Sequence, residues 1–207
     1  MTNANPFAQR STLEYELPPF ALIKEEHYLP AFYEGCAAQL LEVQAILDAP
    51  GAATFENTIV ALEKSGQYLM RMLLVFYNKS SSDTNDALDA IEEEIAPKLA
   101  AHQDSINLNP ALFKRIKDLY DARESLGLNS EDAWLLERYY KDLIHAGAHL
   151  TDAQRGRLKE LNEELSSLET QFSKNVLADT NDLAILVESI EELDGLSENE
   201  IAAAAAI

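Results

Sequence analysis

The 207-residue chain is long enough for one large domain or two small ones with a substantial core, which excludes a peptide or a disulfide-stapled mini-protein. Hydrophobic residues at 47% and charged residues at 25% argue against disorder, and seven Gly and seven Pro among many Ala, Leu, Glu and Lys argue against an all-β fold. Thirty-six Asp and Glu against sixteen Lys and Arg give a formal charge of −20 with no basic patch, so no nucleic-acid partner is expected and the acidic residues read as a solvated surface.

Cys36 is the single cysteine, so no intrachain disulfide can form, and its neighbours Ala31 to Leu41 suit a buried structural thiol rather than an activated one. Residues 1–7 combine no basic region with an apolar run, and no stretch reaches a membrane span. A soluble, cytoplasmic protein with no membrane partner is the expectation.

Residues 1–27 carry Pro6, Pro18 and Pro19 without a sustained 3.6-residue period. They predict an extended arm, docked on the helices after it through Phe7, Leu13, Leu17, Phe20 and Ile23. From Pro30, apolar Phe32, Cys36, Leu40, Val43 and Leu47 predict an amphipathic helix that stops at Pro50-Gly51. A second helix is predicted from near Asn57, with Ile59, Leu62, Leu69, Leu73 and Phe76 on one stripe, Gly66 inside it, and an end at Ser80–Asp83. A third runs from about Thr84 through Leu88, Ile91, Ile95 and Leu99, with a kink expected at Pro97.

Asn109-Pro110 is a cap followed by proline at the first helical position, opening a stripe of Leu112, Phe113, Ile116, Leu119 and Tyr120 that ends by Gly127. Asn129-Ser130-Glu131-Asp132 opens a fifth helix through Leu136, Tyr139 and Leu143 to Gly147. The sixth starts at the capping box Thr151-x-x-Gln154. Its stripe of Leu158, Leu161, Leu165, Leu168, Phe172 and Val176 predicts a helix on the order of 40 Å long, packed in a bundle. Residues 183–187 (Leu183, Ala184, Ile185, Leu186, Val187) read as one short strand, and Ser197-x-x-Glu200 opens a helix cut short at Ile207. Both elements call for a continuation, so the chain is expected to be the front portion of a longer protein.

The residues themselves offer little chemistry. A helical zinc hydrolase needs His-Glu-x-x-His, but the four histidines are followed by Tyr28, Gln103, Ala146 and Leu150. His145 and His149 are four apart, yet Gly147 between them should end the helix, and Ala146 stands where a base would be needed. His27 and His102 read as structural or exposed histidines. There is no Gly-x-Ser-x-Gly, Cys36 has no sequence-positioned histidine, and the glycines form no phosphate loop. Glu92-Glu93-Glu94 points in three directions on a helix. No catalytic or metal-binding residue is expected in this chain, and no substrate-binding residue is identified.

Several segments together resemble a known family. They are Asn5-Pro6-Phe7; Leu17-Pro18-Pro19-Phe20 with Ile23; His27-Tyr28-x-Pro30-Ala31-Phe32-x-x-Gly35; and Phe55-x-Asn57-Thr58-Ile59-x-Ala61-Leu62-Glu63-x-Ser65-Gly66. Residues 123–128, Leu158-x-x-Leu161-Asn162 and Gly195-Leu196-Ser197-x-x-Glu200 complete the series. In order and spacing the chain resembles the N-terminal region of the thimet-oligopeptidase-like zinc metallopeptidases, nearest the bacterial peptidyl-dipeptidase Dcp branch.

The resemblance implies a mainly helical, two-lobed enzyme whose N-terminal lobe walls a deep channel and whose other lobe carries the zinc motif. It implies release of C-terminal dipeptides from oligopeptides, with zinc in the parent enzyme and none in this fragment. On that reading, residues 1–27 are an arm packed on the bundle, 28–180 a helical lobe, and 181–207 a strand and helix start leading into the catalytic lobe. The partners implied are oligopeptides and that lobe, and without it an exposed face would invite self-association. The alternatives are the same lobe of an oligopeptidase A-like endopeptidase, or a non-enzymatic helical binding or scaffold module.

Overall fold

In a computed structural model of the chain, the described residues are 5–183, 185, 187 and 189–205. Among them the fold is all-α: eight helices and several tighter turns, with no strand. Two compact units separate within one long helix, Met1–Thr170 and Gln171–Ile207.

In the first unit, residues 5–27 form four short 3₁₀ turns rather than a helix, as the prolines dictate. Phe7 is buried and Ile23 packs against the core, whereas Leu13, Leu17 and Phe20, expected to dock, are exposed. Helix α1 (Tyr28–Leu47) comes next, with Pro30 in its first turn.

The predicted second helix is two pieces. A π-helical turn (Phe55–Val60) runs into the short α2 (Ala61–Glu63), and α3 (Gln67–Ser82) starts afresh beyond Gly66. Gly66 has φ +71°, its N–H donates to Glu42 Oε2 at 2.7 Å, and the Gln39 amide lies where a Cβ would be. The break is therefore a tertiary feature made by α1, which the local stripe could not report.

α4 (Asp86–Asn107) continues through Pro97 as one helix. Asn85 caps it by accepting from Ala87 N and Leu88 N, both at 3.0 Å. Asn109 caps α5 (Pro110–Asp121), and Asn129 caps α6 (Ser130–Ala146), which closes on Gly147 at φ +97°. The cap at Asn109, the helix opening at Asn129 and the stop at Gly147 are those expected from the sequence. In the capping box before α7 (Asp152–Asp182), Gln154 Oε1 accepts from Thr151 N at 3.1 Å.

Two cores result. Phe7, Tyr28, Ala31, Phe32, Met72, Phe76, Leu88 and Ile95 form the first, where the arm meets α1, α3 and α4. Val43, Ile46, Ile59, Leu112, Ile116, Leu136 and Leu143 form the second, where the end of α1 meets the π-turn, α5 and α6. α1 thus contributes one end to each. Arg115 ties the second core together, with Nε donating to Thr58 Oγ1 and an η nitrogen to Asn57 Oδ1, both at 2.8 Å.

The leucine stripe of α7 does not behave as predicted within this unit. Leu161, Leu165 and Leu168 are 43%, 53% and 59% exposed; Leu158 of the stripe is half-buried, and so are Arg155, Asn162, Ser166 and Thr170 outside it. The helix meets the rest of the unit through a largely polar face, because Asp104 on α4 offers its carboxylate to Asn162.

The second unit holds the end of α7, a 3₁₀ turn (Ile190–Leu193) and α8 (Glu198–Ala204). The Ser197–Glu200 capping box is formed, with Ser197 N donating to Glu200 Oε2 at 2.8 Å. The strand expected at 183–187 is not present at Leu183, Ile185 or Val187; Ala184 and Leu186 lie outside the described residues. A lone strand has no ladder to satisfy its backbone, and no second strand stands among the described residues.

Candidate functional site

The helix around which concave surface gathers is α4, in the first unit. On one side of it, facing α7, is a cavity of about 390 Å³ lined in part by Tyr77, Ala96, Ala100, Gln103, Asp104 and Ser166. On the other side, against α1, α2 and α3, is one of about 250 Å³ lined in part by Gln39, Gly66, Leu69, Met70, His102 and Asn107. Leu99 and Gln103 line both, so the two are neighbours across one helix turn.

The local reasons are plain. Ala96, Ala100 and Asp104 recur every fourth residue, which puts two small side chains and one carboxylate on a single face of α4 and leaves room beside α7. Asp104 is 9% exposed, and both its oxygens accept from Asn162 Nδ2, at 2.9 and 3.0 Å.

On the second side, His102 extends the buried series Leu88, Ile91 and Ile95 of the same helix and is itself buried. Its Nε2 donates to Gln39 Oε1 at 2.7 Å, the partner that satisfies an imidazole in a core position. Gly66 makes this possible, since any side chain there would strike Gln39. Tyr139, also lining this cavity, donates to Glu63 Oε1 at 2.6 Å, and burial raises its phenol well above the ordinary range.

Burial pushes the His102 imidazole below its usual value. The native state therefore holds fewer protons than the unfolded chain between that depressed value and the ordinary one near 6.5. Stability should fall as pH drops through this window. Urea unfolding at pH 7 and pH 5 should show the loss, and His102→Gln should flatten it by up to about 1.4 kcal/mol per unit of depression. An unchanged pH slope in that variant would remove His102 as the cause.

No Lys or Arg is among the described residues lining either cavity, and Glu92, Asp104 and Glu169 bring three carboxylates to the one beside α7. Side-chain amides and hydroxyls of Gln39, Gln103, Asn107, Ser166 and Thr170 alternate there with Leu, Met and Ala. Such a surface offers donors and acceptors to a peptide backbone and apolar area to its side chains. It holds no nucleophile–base pair.

The other residues singled out from the sequence are scattered. α6 ends at Ala146, so His145 and His149 lie on either side of the left-handed Gly147 and do not share a helix face. Among the described residues, no three His, Cys, Asp or Glu come together as a metal site. Cys36 is half-buried against the first core, and burial pushes its thiol up to about 11, so it is protonated at neutral pH. His27 Nδ1 accepts from Lys24 N at 3.0 Å. Of the glutamate trio, Glu92 lines the cavity beside α7, while Glu94 pairs with Lys98 at 2.8 Å and accepts from Tyr33. No helix of the described residues is long and apolar enough to cross a membrane.

The sequence reading missed Asp104 and Gln39. The signal for Asp104 was present, because it follows two alanines at four-residue spacing, but its partner is 58 residues away. Gln39 carried no signal, since an amide on the polar side of α1 is ordinary until His102 is placed against it.

No family model matches the chain. Curated relatives do. It is 42% identical over 205 residues to dipeptidyl carboxypeptidase of Escherichia coli, covering 99% of this chain and 30% of that protein. Dipeptidyl carboxypeptidase of Salmonella typhimurium is 38% identical over 203 residues, covering 98% and 30%. Oligopeptidase A of Salmonella typhimurium is 27% identical over 192 residues, covering 93% and 28%. The chain thus spans about 30% of the length of the dipeptidyl carboxypeptidases it matches. Its relatives are thimet-oligopeptidase-like metallopeptidases, and the chain matches a region of them, with higher identity to the dipeptidyl carboxypeptidases than to oligopeptidase A.

Proposed function

We propose that the chain is the N-terminal, substrate-confining lobe of a cytoplasmic zinc metallopeptidase that removes C-terminal dipeptides from oligopeptides. The observation that carries this reading is the α4 surface: two adjacent cavities of peptide-side-chain size, lined by amides, hydroxyls and the carboxylates of Glu92, Asp104 and Glu169 without a reactive constellation. The similarity to dipeptidyl carboxypeptidases supports the reaction class.

The described residues do not fit a zinc ion, since no three ligand-type side chains converge among them. The ion and its hydrolytic chemistry are assigned to the catalytic lobe of the same protein. This chain's own contribution is to bind and orient. Gln103 and Asn107 would pair with substrate amides, Leu99 and Leu69 would pack against side chains, and the wall would exclude bulk water and folded proteins.

The test is cleavage of a blocked tetrapeptide by the full-length protein and by the 207-residue chain. Release of the C-terminal dipeptide by the former and no hydrolysis by the latter is expected. Cuts without preference for the C-terminal dipeptide would favour an oligopeptidase A-like endopeptidase, and hydrolysis by the chain alone would sink the assignment. Gln103→Trp, which puts a bulky ring at a position lining both cavities, is expected to raise KM about tenfold or more with a smaller change in kcat. An unchanged KM would place the substrate elsewhere.

A further inference from the structure

Between the N-terminal arm and α3 lies a separate cavity of about 180 Å³. Its wall is mostly apolar, with Pro6, Phe7, Pro18, Pro19 and Val75, and Arg71 stands in it. That volume exceeds the roughly 150 Å³ known to hold a benzene molecule, so an aromatic ring or a branched side chain fits.

Arg71 is out of keeping with its surroundings. One η nitrogen donates to the Phe7 carbonyl at 3.3 Å, and the guanidinium lies 5.7 Å from the Tyr68 ring centroid. Its Nε is buried with no hydrogen-bond partner among the described residues. Every other arginine meets a carboxylate or, at Arg115, a pair of side-chain oxygens. A buried donor left open, on a cation with no carboxylate within ion-pair distance among the described residues, calls for an acceptor.

A second observation concerns the rim. Tyr15 and Glu16 both have positive φ, +56° and +54°, although neither is glycine. Glu16 lines the cavity, and its carboxylate is 3.6 Å from Arg10. Backbone held in this region persists only where the surroundings impose it, and such positions gather at ligand clamps.

We propose that this cavity binds an apolar carboxylate, with the hydrocarbon among the prolines and the carboxylate on Arg71. The C-terminal residue of a peptide and a free aryl or branched aliphatic acid share this chemistry. The site is independent of the α4 surface and of the peptidase reading.

Calorimetric titration of the 207-residue chain tests it, with 3-phenylpropionate, N-acetyl-alanyl-phenylalanine and the amide of each. Saturable binding of at least one acid, with the matching amide at least tenfold weaker, is expected. Binding of the dipeptide acid alone identifies a peptide terminus, and binding of 3-phenylpropionate alone identifies a free acid. Arg71→Gln should abolish the preference for acid over amide, and Ser11→Trp should occlude the mouth while leaving Arg71 in place. Equal affinity for acid and amide, no binding at millimolar ligand, or an acid preference that survives Arg71→Gln would each overturn the proposal. The comparison on the unmodified chain stands even if a variant folds poorly.

Discussion

Phe76→Ala is expected to destabilise the chain by about 3–5 kcal/mol, a large share of the roughly 5–15 kcal/mol that holds a typical domain together. Phe76 is fully buried on α3, edge-on to Tyr28 at 5.2 Å and to Tyr77 at 5.3 Å. Tyr28 in turn meets Phe7 at 5.6 Å, so one ring links the arm, α1 and α3. Truncation leaves a cavity that these rings cannot collapse into without moving α1, and α1 also supplies Val43 and Ile46 to the second core. Tyr15→Ala is the matched control: this ring is 87% exposed, and its loss should change stability by no more than about 0.5 kcal/mol. Urea midpoints with an unchanged slope give both numbers. A loss below about 1.5 kcal/mol for Phe76→Ala would mean that the first core is not packed as described.

What was legible in the sequence was local. Helices α5 and α6 announce themselves because an asparagine supplies the first orphan N–H groups with an acceptor, and Gly147 stops α6 where a side chain would be strained. The break at Gly66 was not legible, because Leu62, Leu69 and Phe76 keep step on either side of it and the cause is Glu42 and Gln39 on another helix. Periodicity likewise found the stripe of α7 but could not say what covers it; Asn162, a polar residue, makes the contact with α4.

Several of the residues that carried the family resemblance prove to be packing and capping positions. Asn5 donates to the His27 carbonyl at 2.8 Å, Asn57 and Thr58 receive Arg115, and Ala31 and Phe32 are core. They identify kinship without marking a reactive centre, which is why the candidate surface around Asp104 and Gln39 had to come from tertiary placement.

Gly35 and Gly156 are both helical glycines, and the same substitution should act on them with opposite sign. A Cβ on Gly35 would lie 2.9 Å from Leu69 Cα and 3.1 Å from Leu69 N, so α1 and α3 touch backbone to backbone there. Alanine gains about 1 kcal/mol of helix propensity over glycine. Forcing two packed helices apart costs about 1–3 kcal/mol, and here the obstacle is main chain, which cannot rotate away. Gly35→Ala should therefore destabilise, and Gly35→Val should reach or exceed the upper end of that range, since its branches meet the same helix. A Cβ on Gly156 in α7 would meet no described residue within 4 Å beyond its own helical backbone, so only the propensity and unfolded-chain terms remain. Gly156→Ala should stabilise by about 0.4–1 kcal/mol. Thermal or urea unfolding of the two alanine variants decides the matter: a neutral or stabilising Gly35→Ala would show that α1 and α3 do not approach so closely, whatever Gly156 does.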